Sequence, residues 1–202
     1  MARPTNTEER RAEIVAGLRK VMARRGYEGA SVAEIARAAG LAPGLVHYHF
    51  HDKREILLAL LEQLVREAGE RAQRALARGG KEPLERLEVY LDAFLSREAD
   101  PDPEAVACWV AIGAEAIRDA KVKKAYGVAL RTSAAAVEAL VMEALAASGG
   151  KPAEAKVIAA ALHAAIQGYL LVSVTAPELV PRGSAAGATR RLARMLIQGA
   201  LP

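Results

Sequence analysis

The chain has 202 residues, with 28 Lys and Arg against 24 Asp and Glu, a net charge of +4 and a pI near 9.3. Hydrophobic residues make up 52% but aromatics only 4%, so alanine supplies much of the apolar count and favours helix. One cysteine, Cys108, excludes an internal disulfide. No charge-free run is read as approaching a membrane span, and the start MARPTNTEERR lacks an apolar signal core, so a cytoplasmic location is expected.

Residues 1–6 read as a loose arm, with Arg3 available to a phosphate backbone. Thr5 and Glu8 have the spacing of a capping box for helix 1, which carries Ile14, Val15, Leu18, Val21 and Met22 at helical spacing and stops at Gly26. Ser31 with Glu34 opens helix 2, Gly40 ends it, and Pro43 suits the first turn of a short helix 3 over about 43–49. Asp52 with Glu55 repeats the capping box before a long helix 4, from Lys53 to about Arg78, carrying Ile56, Leu57, Leu60, Leu61, Leu64 and Val65. Helix 5 starts near Pro83, and helix 6 near Pro103 with Val106, Trp109, Val110, Gly113 and Ile117 along it. Asp119 caps helix 7, Pro152 opens helix 8 with Val157 and Ile158 among its apolar residues, and Leu192, Met195 and Leu196 mark helix 9. The pattern predicts an all-α, nine-helix chain without a strand, the β-branched run at 172–175 being too short. Leu179 to Ser184, LVPRGS, resembles a thrombin cleavage site, so that loop is expected to be open to nicking.

Helix, glycine-containing turn and short helix form a helix-turn-helix, whose second helix enters the major groove. Residues 1–60 hold ten Lys and Arg against seven Asp and Glu, and three of the four histidines, a mildly basic quarter that fits phosphate contact. The run AGLAPGLVHYHFHDKREIL, and above all Tyr48, Phe50 and Lys53, resembles the N-terminal DNA-binding domain of the TetR-family bacterial transcription regulators. The resemblance covers about Arg10 to Leu61.

The resemblance implies a helix-turn-helix domain over residues 1–52 and a ligand-binding and dimerisation domain over 53–202. It implies a homodimer through helices 8 and 9, where Ala159, Ala160, Ala164, Ala165 and Gly168 would allow another helix to approach closely. It also implies a double-stranded operator as partner, and repression relieved by a small-molecule effector.

Expected DNA contacts are Ser31, Pro43, Gly44, Leu45, His47, Tyr48, His49 and Lys53. Tyr48 and Lys53 are assigned to phosphates and His47 to a base edge. Two departures from the family pattern stand out: Ala42 removes the usual Ser or Thr cap, and Pro43 and Leu45 replace polar base readers. Operator reading would then lean on few hydrogen bonds and on DNA shape. The spacing of Trp109, Arg118-Asp119, Tyr126 and Gln167-Gly168-Tyr169 is similar to the choline-responsive branch of the family. Tyr90, Phe94, Trp109, Glu115, Tyr126, His163, Gln167 and Tyr169 place polar tips among apolar walls, the composition of a small-molecule site. Alternating His47, His49 and His51 diverge on a helix, so no metal is expected. No cofactor and no catalytic residue is expected either, Ser133, Ser173 and His163 lying outside any known catalytic motif. The alternative is a helical small-molecule-binding protein without sequence-specific DNA recognition.

Overall fold

Helix boundaries in this chain are set by short-range hydrogen bonds that the sequence spells out. The computed structural model describes residues 6–96 and 102–200; the expected arm residue Arg3 and cap Thr5 lie outside them. Within that range there are nine α-helices and no strand: α1 (Asn6–Arg25), α2 (Val32–Ala39), α3 (Pro43–His49), α4 (Lys53–Arg78), α5 (Pro83–Leu95), α6 (Pro103–Glu115), α7 (Ala120–Ser148), α8 (Ala155–Thr175) and α9 (Ser184–Gly199).

Ser31 Oγ accepts from the Glu34 N–H at 3.2 Å and the Glu34 carboxylate accepts from the Ser31 N–H at 3.1 Å, the reciprocal pair expected. The Glu34 carboxylate accepts from both the Ser31 N–H and, at 3.0 Å, the Ser31 hydroxyl, and these two bonds chiefly hold its carboxyl below the usual range. Gly40 closes α2 in the left-handed region at φ 71°, with the Leu41 N–H on the Ala36 carbonyl at 2.9 Å. Asp102 accepts from Glu104 and Ala105 to start α6, and Asp119 from Lys121 and Val122 to start α7. Each such cap stabilises a helix by about 1 kcal/mol.

Several details depart from expectation. Asp52 does accept from the Glu55 N–H at 2.8 Å, but the Glu55 carboxylate reaches back to the His51 N–H at 2.9 Å, one residue before the cap. Pro152 opens only a single 3-10 turn, Pro152–Glu154, and α8 begins at Ala155. Ile117 lies beyond the end of α6 and is exposed, and Val65 and Val157 face outward. Ala159, expected on the outer face of α8, is buried within its own unit. Residues 157–177 hold no Asp, Glu, Lys or Arg, so the reading that no charge-free run nears a membrane span is corrected. Pro152–Thr175, with mean hydropathy 1.8, is long and apolar enough to cross a bilayer by length and composition. One side of it, Ala155, Ile158, Ala159, Leu162 and Ile166, is buried in a helical core.

The chain divides into two compact units. The first comprises residues 1–66 and 102–127, the second 67–101 and 128–202. In the first, α1 packs on α2, α3 and α6, and Ile14, Leu18, Met22, Ile35, Val46, Phe50, Ile56, Leu57 and Ile112 are buried. Arg19 on α1 pairs with the α6 cap Asp102, and the Cys108 thiol donates to the Arg19 carbonyl at 3.5 Å. Burial pushes that thiol up to about 12, which disfavours the reactive thiolate.

In the second unit, α5 packs on α8 and α9 around Leu87, Leu91, Val137, Leu145, Leu162 and Ile197. Arg190 and Arg194 of α9 bind Asp92 and Glu88 of α5, each at 2.9 Å. Leu179, Pro181, Arg182 and Gly183 are exposed in the loop before α9. Thrombin should therefore cut after Arg182, and the α9 fragment should stay bound through its buried residues and the two ion pairs. Denaturing gels should show the cut and gel filtration an unchanged elution volume; a fragment lost on filtration would contradict this docking.

Candidate nucleic-acid interface and effector site

The exposed face of α3 is built by its neighbours. Only Val46 of this seven-residue helix is buried, and the following Phe50, 2% exposed, anchors its end. Arg11 on α1 lies with its guanidinium 3.9 Å from the Phe50 ring centre, donates to the His49 carbonyl and pairs with Glu55 at 3.2 Å. That leaves Pro43, Gly44, Leu45, His47 and Tyr48 facing solvent. Tyr48 is 80% exposed and Leu45 40%, so Leu45 is free to meet a thymine methyl. His49 is only half-exposed, its ring edge-on to Tyr48 at 5.0 Å, so it is less available than expected. Ala42 makes no side-chain cap bond, as its residue type dictates. The exposed side of α3 thus carries rings and apolar groups and no carboxylate, guanidinium or ammonium.

Cations stand at its flank. Lys53, the first residue of α4, donates to the Tyr27 carbonyl at 2.9 Å and lies 4.1 Å from the centre of the Tyr27 ring. Arg54 is bound by Asp119 at 3.1 Å and Asp52 at 3.2 Å. Asp119 is held below the usual carboxylate range by the Val122 N–H and the Arg54 guanidinium. Its share of stability is complete above the ordinary carboxylate value and is lost as pH falls through the lowered one. Burial, then the nearby carboxylate of Glu115, raises the Tyr27 phenol to about 12. The Glu115 carboxylate, expected among the effector residues, also acts on the Tyr27 hydroxyl.

The expected effector residues fall into two groups. In the first unit Trp109 of α6 and Tyr126 of α7 meet at 4.6 Å between ring centres, tilted by 43°. A Cβ at Gly113 would stand 3.0 Å from the Tyr126 hydroxyl, so the glycine, costly within a helix, makes room for that ring. Burial raises the Tyr126 phenol to about 12. In the second unit Tyr90 and Phe94 of α5 meet at 5.0 Å, burial raises the Tyr90 phenol, and His163 and Gln167 approach at 3.4 Å along α8. Burial lowers the His163 pKa, favouring the neutral ring. Tyr169 is half-buried against the same core. Among the described residues no group of His, Cys, Asp and Glu is arranged to hold a metal.

Residues 14–60 match the sequence pattern of bacterial regulatory proteins of the tetR family, and residues 83–198 match that of the C-terminal region of BetI-type transcriptional repressors. The chain belongs to the TetR family. This TetR-family chain is 32% identical over 116 residues to the HTH-type transcriptional regulator BetI of Rhizobium meliloti, a match that covers 57% of the chain and 56% of that protein. The match thus spans about half the length of the curated relative. A crystal structure of a transcriptional regulator from a Rhodococcus species aligns with a TM-score of 0.80 at 28% identity, over 94% of this chain and 97% of that one. A regulator structure from Saccharomonospora viridis in complex with choline aligns with a TM-score of 0.77 at 23% identity, over 94% and 96% of the two chains, a likeness of fold.

Proposed function

We propose that this TetR-family chain is a cytoplasmic repressor that binds a palindromic operator as a homodimer and is released by a small-molecule effector. The observation that carries the DNA reading is the outward face of α3, held between the capped α2 and the cation-bearing start of α4. Residues 1–52 would form the DNA-reading domain and 53–202 the effector and dimer domain, a division by role, whereas the compact units are divisions by packing. Ser31, Tyr48 and Lys53 are assigned to phosphates, and Pro43, Gly44, Leu45, His47 and His49 to the groove.

Dimerisation through α8 and α9 is supported by their outer surface. Val157 is 67% and Met195 69% exposed, among exposed Ala160, Ala164 and Gly168. Apolar side chains beside small residues suit a helix–helix interface. Two α3 helices would then meet successive major grooves about 34–36 Å apart.

For the effector, the Trp109–Tyr126 pair supports a small organic cation, whose charge is attracted to ring faces; the choline in the Saccharomonospora viridis structure is consistent with this class. Tyr90, Phe94, His163, Gln167 and Tyr169 are assigned to effector binding on their own chemistry.

The test is a gel shift with an operator selected from a random pool. Lys53→Ala and Tyr48→Phe should weaken binding to all sequences alike. His47→Ala should cost on the order of 1–3 kcal/mol at one or two base positions and relax preference there. A uniform loss for His47→Ala would remove its base-reading role. Equal affinity for operator and random DNA would instead favour a small-molecule carrier.

A further inference from the structure

We propose that Tyr27 is a positioning residue for DNA binding, holding the Lys53 ammonium between its carbonyl and its ring face so that the remaining N–H groups are aimed at a phosphate. The proposal rests on the assignment of Lys53 to a phosphate made above.

The local fold explains why Tyr27 can do this. Gly26 leaves α1 in the left-handed region at φ 69°, with its N–H on the Met22 carbonyl at 2.9 Å. The chain turns there, and the Tyr27 carbonyl accepts the Ala30 N–H at 3.1 Å and Lys53 Nζ at 2.9 Å, using both lone pairs. The ammonium has three donors, so the bond to Tyr27 leaves two for other acceptors. The ring centre, 4.1 Å from Nζ, adds the attraction of a π face for a cation. A free lysine gives up much rotamer freedom when it binds, and fixing it beforehand removes part of that cost.

The two cations that open α4 are treated differently. Arg54 is engaged by the carboxylates of Asp52 and Asp119, which offset its charge. The Lys53 contacts are a carbonyl and a ring, both uncharged, so its full charge stays available to an anion. The carboxylates of Glu115, Asp52 and Asp119 act on the Tyr27 hydroxyl.

Phosphate contacts do not depend on sequence, so a mixed-sequence duplex of about four helical turns serves as the probe. Lys53→Ala should lower the slope of log affinity against log salt by about one; an unchanged slope would remove Lys53 from the phosphates, and the proposal with it. With that slope change in hand, Tyr27→Leu should weaken binding roughly two- to fivefold, the size of an exposed cation–π contact. Tyr27→Phe should restore it. In the Lys53→Ala background Tyr27→Leu should cost nothing further, because the two residues act through one contact. A merely structural Tyr27 would cost the same in both backgrounds, and that result overturns the proposal. Phenylalanines with successive ring fluorines at position 27 keep the shape while weakening the π face; affinity should fall with each fluorine, and affinity indifferent to fluorination also overturns it.

Discussion

Gly17→Ala should lower the melting temperature and weaken operator binding more than any single change on the surface of α3. A Cβ at Gly17 would stand 2.6 Å from the Ile35 carbonyl oxygen and 3.1 Å from the backbone nitrogen and the Cβ of Ala39. None of these atoms can rotate away, so α1 and α2 must part, and α3 moves with α2. Overpacking of this kind costs about 1–3 kcal/mol or more. Replacing a mid-helix glycine by alanine returns about 1 kcal/mol of helix propensity. Gly69→Ala in α4 is the control, because nothing lies within 4 Å of its Cβ and only that gain remains. Thermal unfolding should separate the two variants in opposite directions from the parent, by a few degrees each. Gel shift should show a loss of at least about tenfold for Gly17→Ala, the equivalent of roughly 1.4 kcal/mol. A Gly17→Ala protein as stable as Gly69→Ala would mean that the close approach of α1 and α2 is not a constraint.

The second large effect is effector release. Choline is the probe, chosen for the Trp109–Tyr126 ring pair. Those rings sit on α6 and α7 in the same compact unit as α1, and α6 itself packs on α1 through Asp102, Cys108 and Arg19. A ligand acts only through its different affinities for the DNA-fitting and released states. A coupling of about 1–3 kcal/mol would loosen DNA roughly 5–150-fold. Trp109 is the single tryptophan, so its emission reports on this site. Emission and operator release should follow one titration curve, and Trp109→Ala should abolish release. Quenching of Trp109 with DNA affinity unchanged would break the link. Release that survives Trp109→Ala would move the site, with the Tyr90–Phe94 group the next to test.

The features legible in the sequence are those whose cause is local. Ser31–Glu34, Gly40 and Asp119 act over short sequence distances, so their spacing marks where helices begin and end. Gly17 carried no such signal, because its constraint is the carbonyl of Ile35 on another helix. Lys53 could be assigned to phosphates from its place at a helix start, but its support is the main-chain oxygen of Tyr27, and a backbone acceptor leaves no trace in residue type. Glu115 is expected among the effector residues, and the action of its carboxylate on Tyr27 arises only once the chain has folded back. The membrane reading fails for a plainer reason: His163, Gln167, Ser173 and Thr175 of α8 are polar but uncharged, and they hide an unbroken charge-free run.

The exposed surface of α8 and α9 has a consequence for how the protein responds to its own abundance. If two chains must meet over Val157 and Met195 before two α3 helices can span an operator, then at low abundance occupancy grows with the square of chain number. A twofold fall in chain concentration would lower operator occupancy about fourfold in that regime. Genes under its control would switch over a narrow range of protein copies, and Val157→Glu, by opposing like charges across the seam, would shift that threshold upward without touching a single DNA contact.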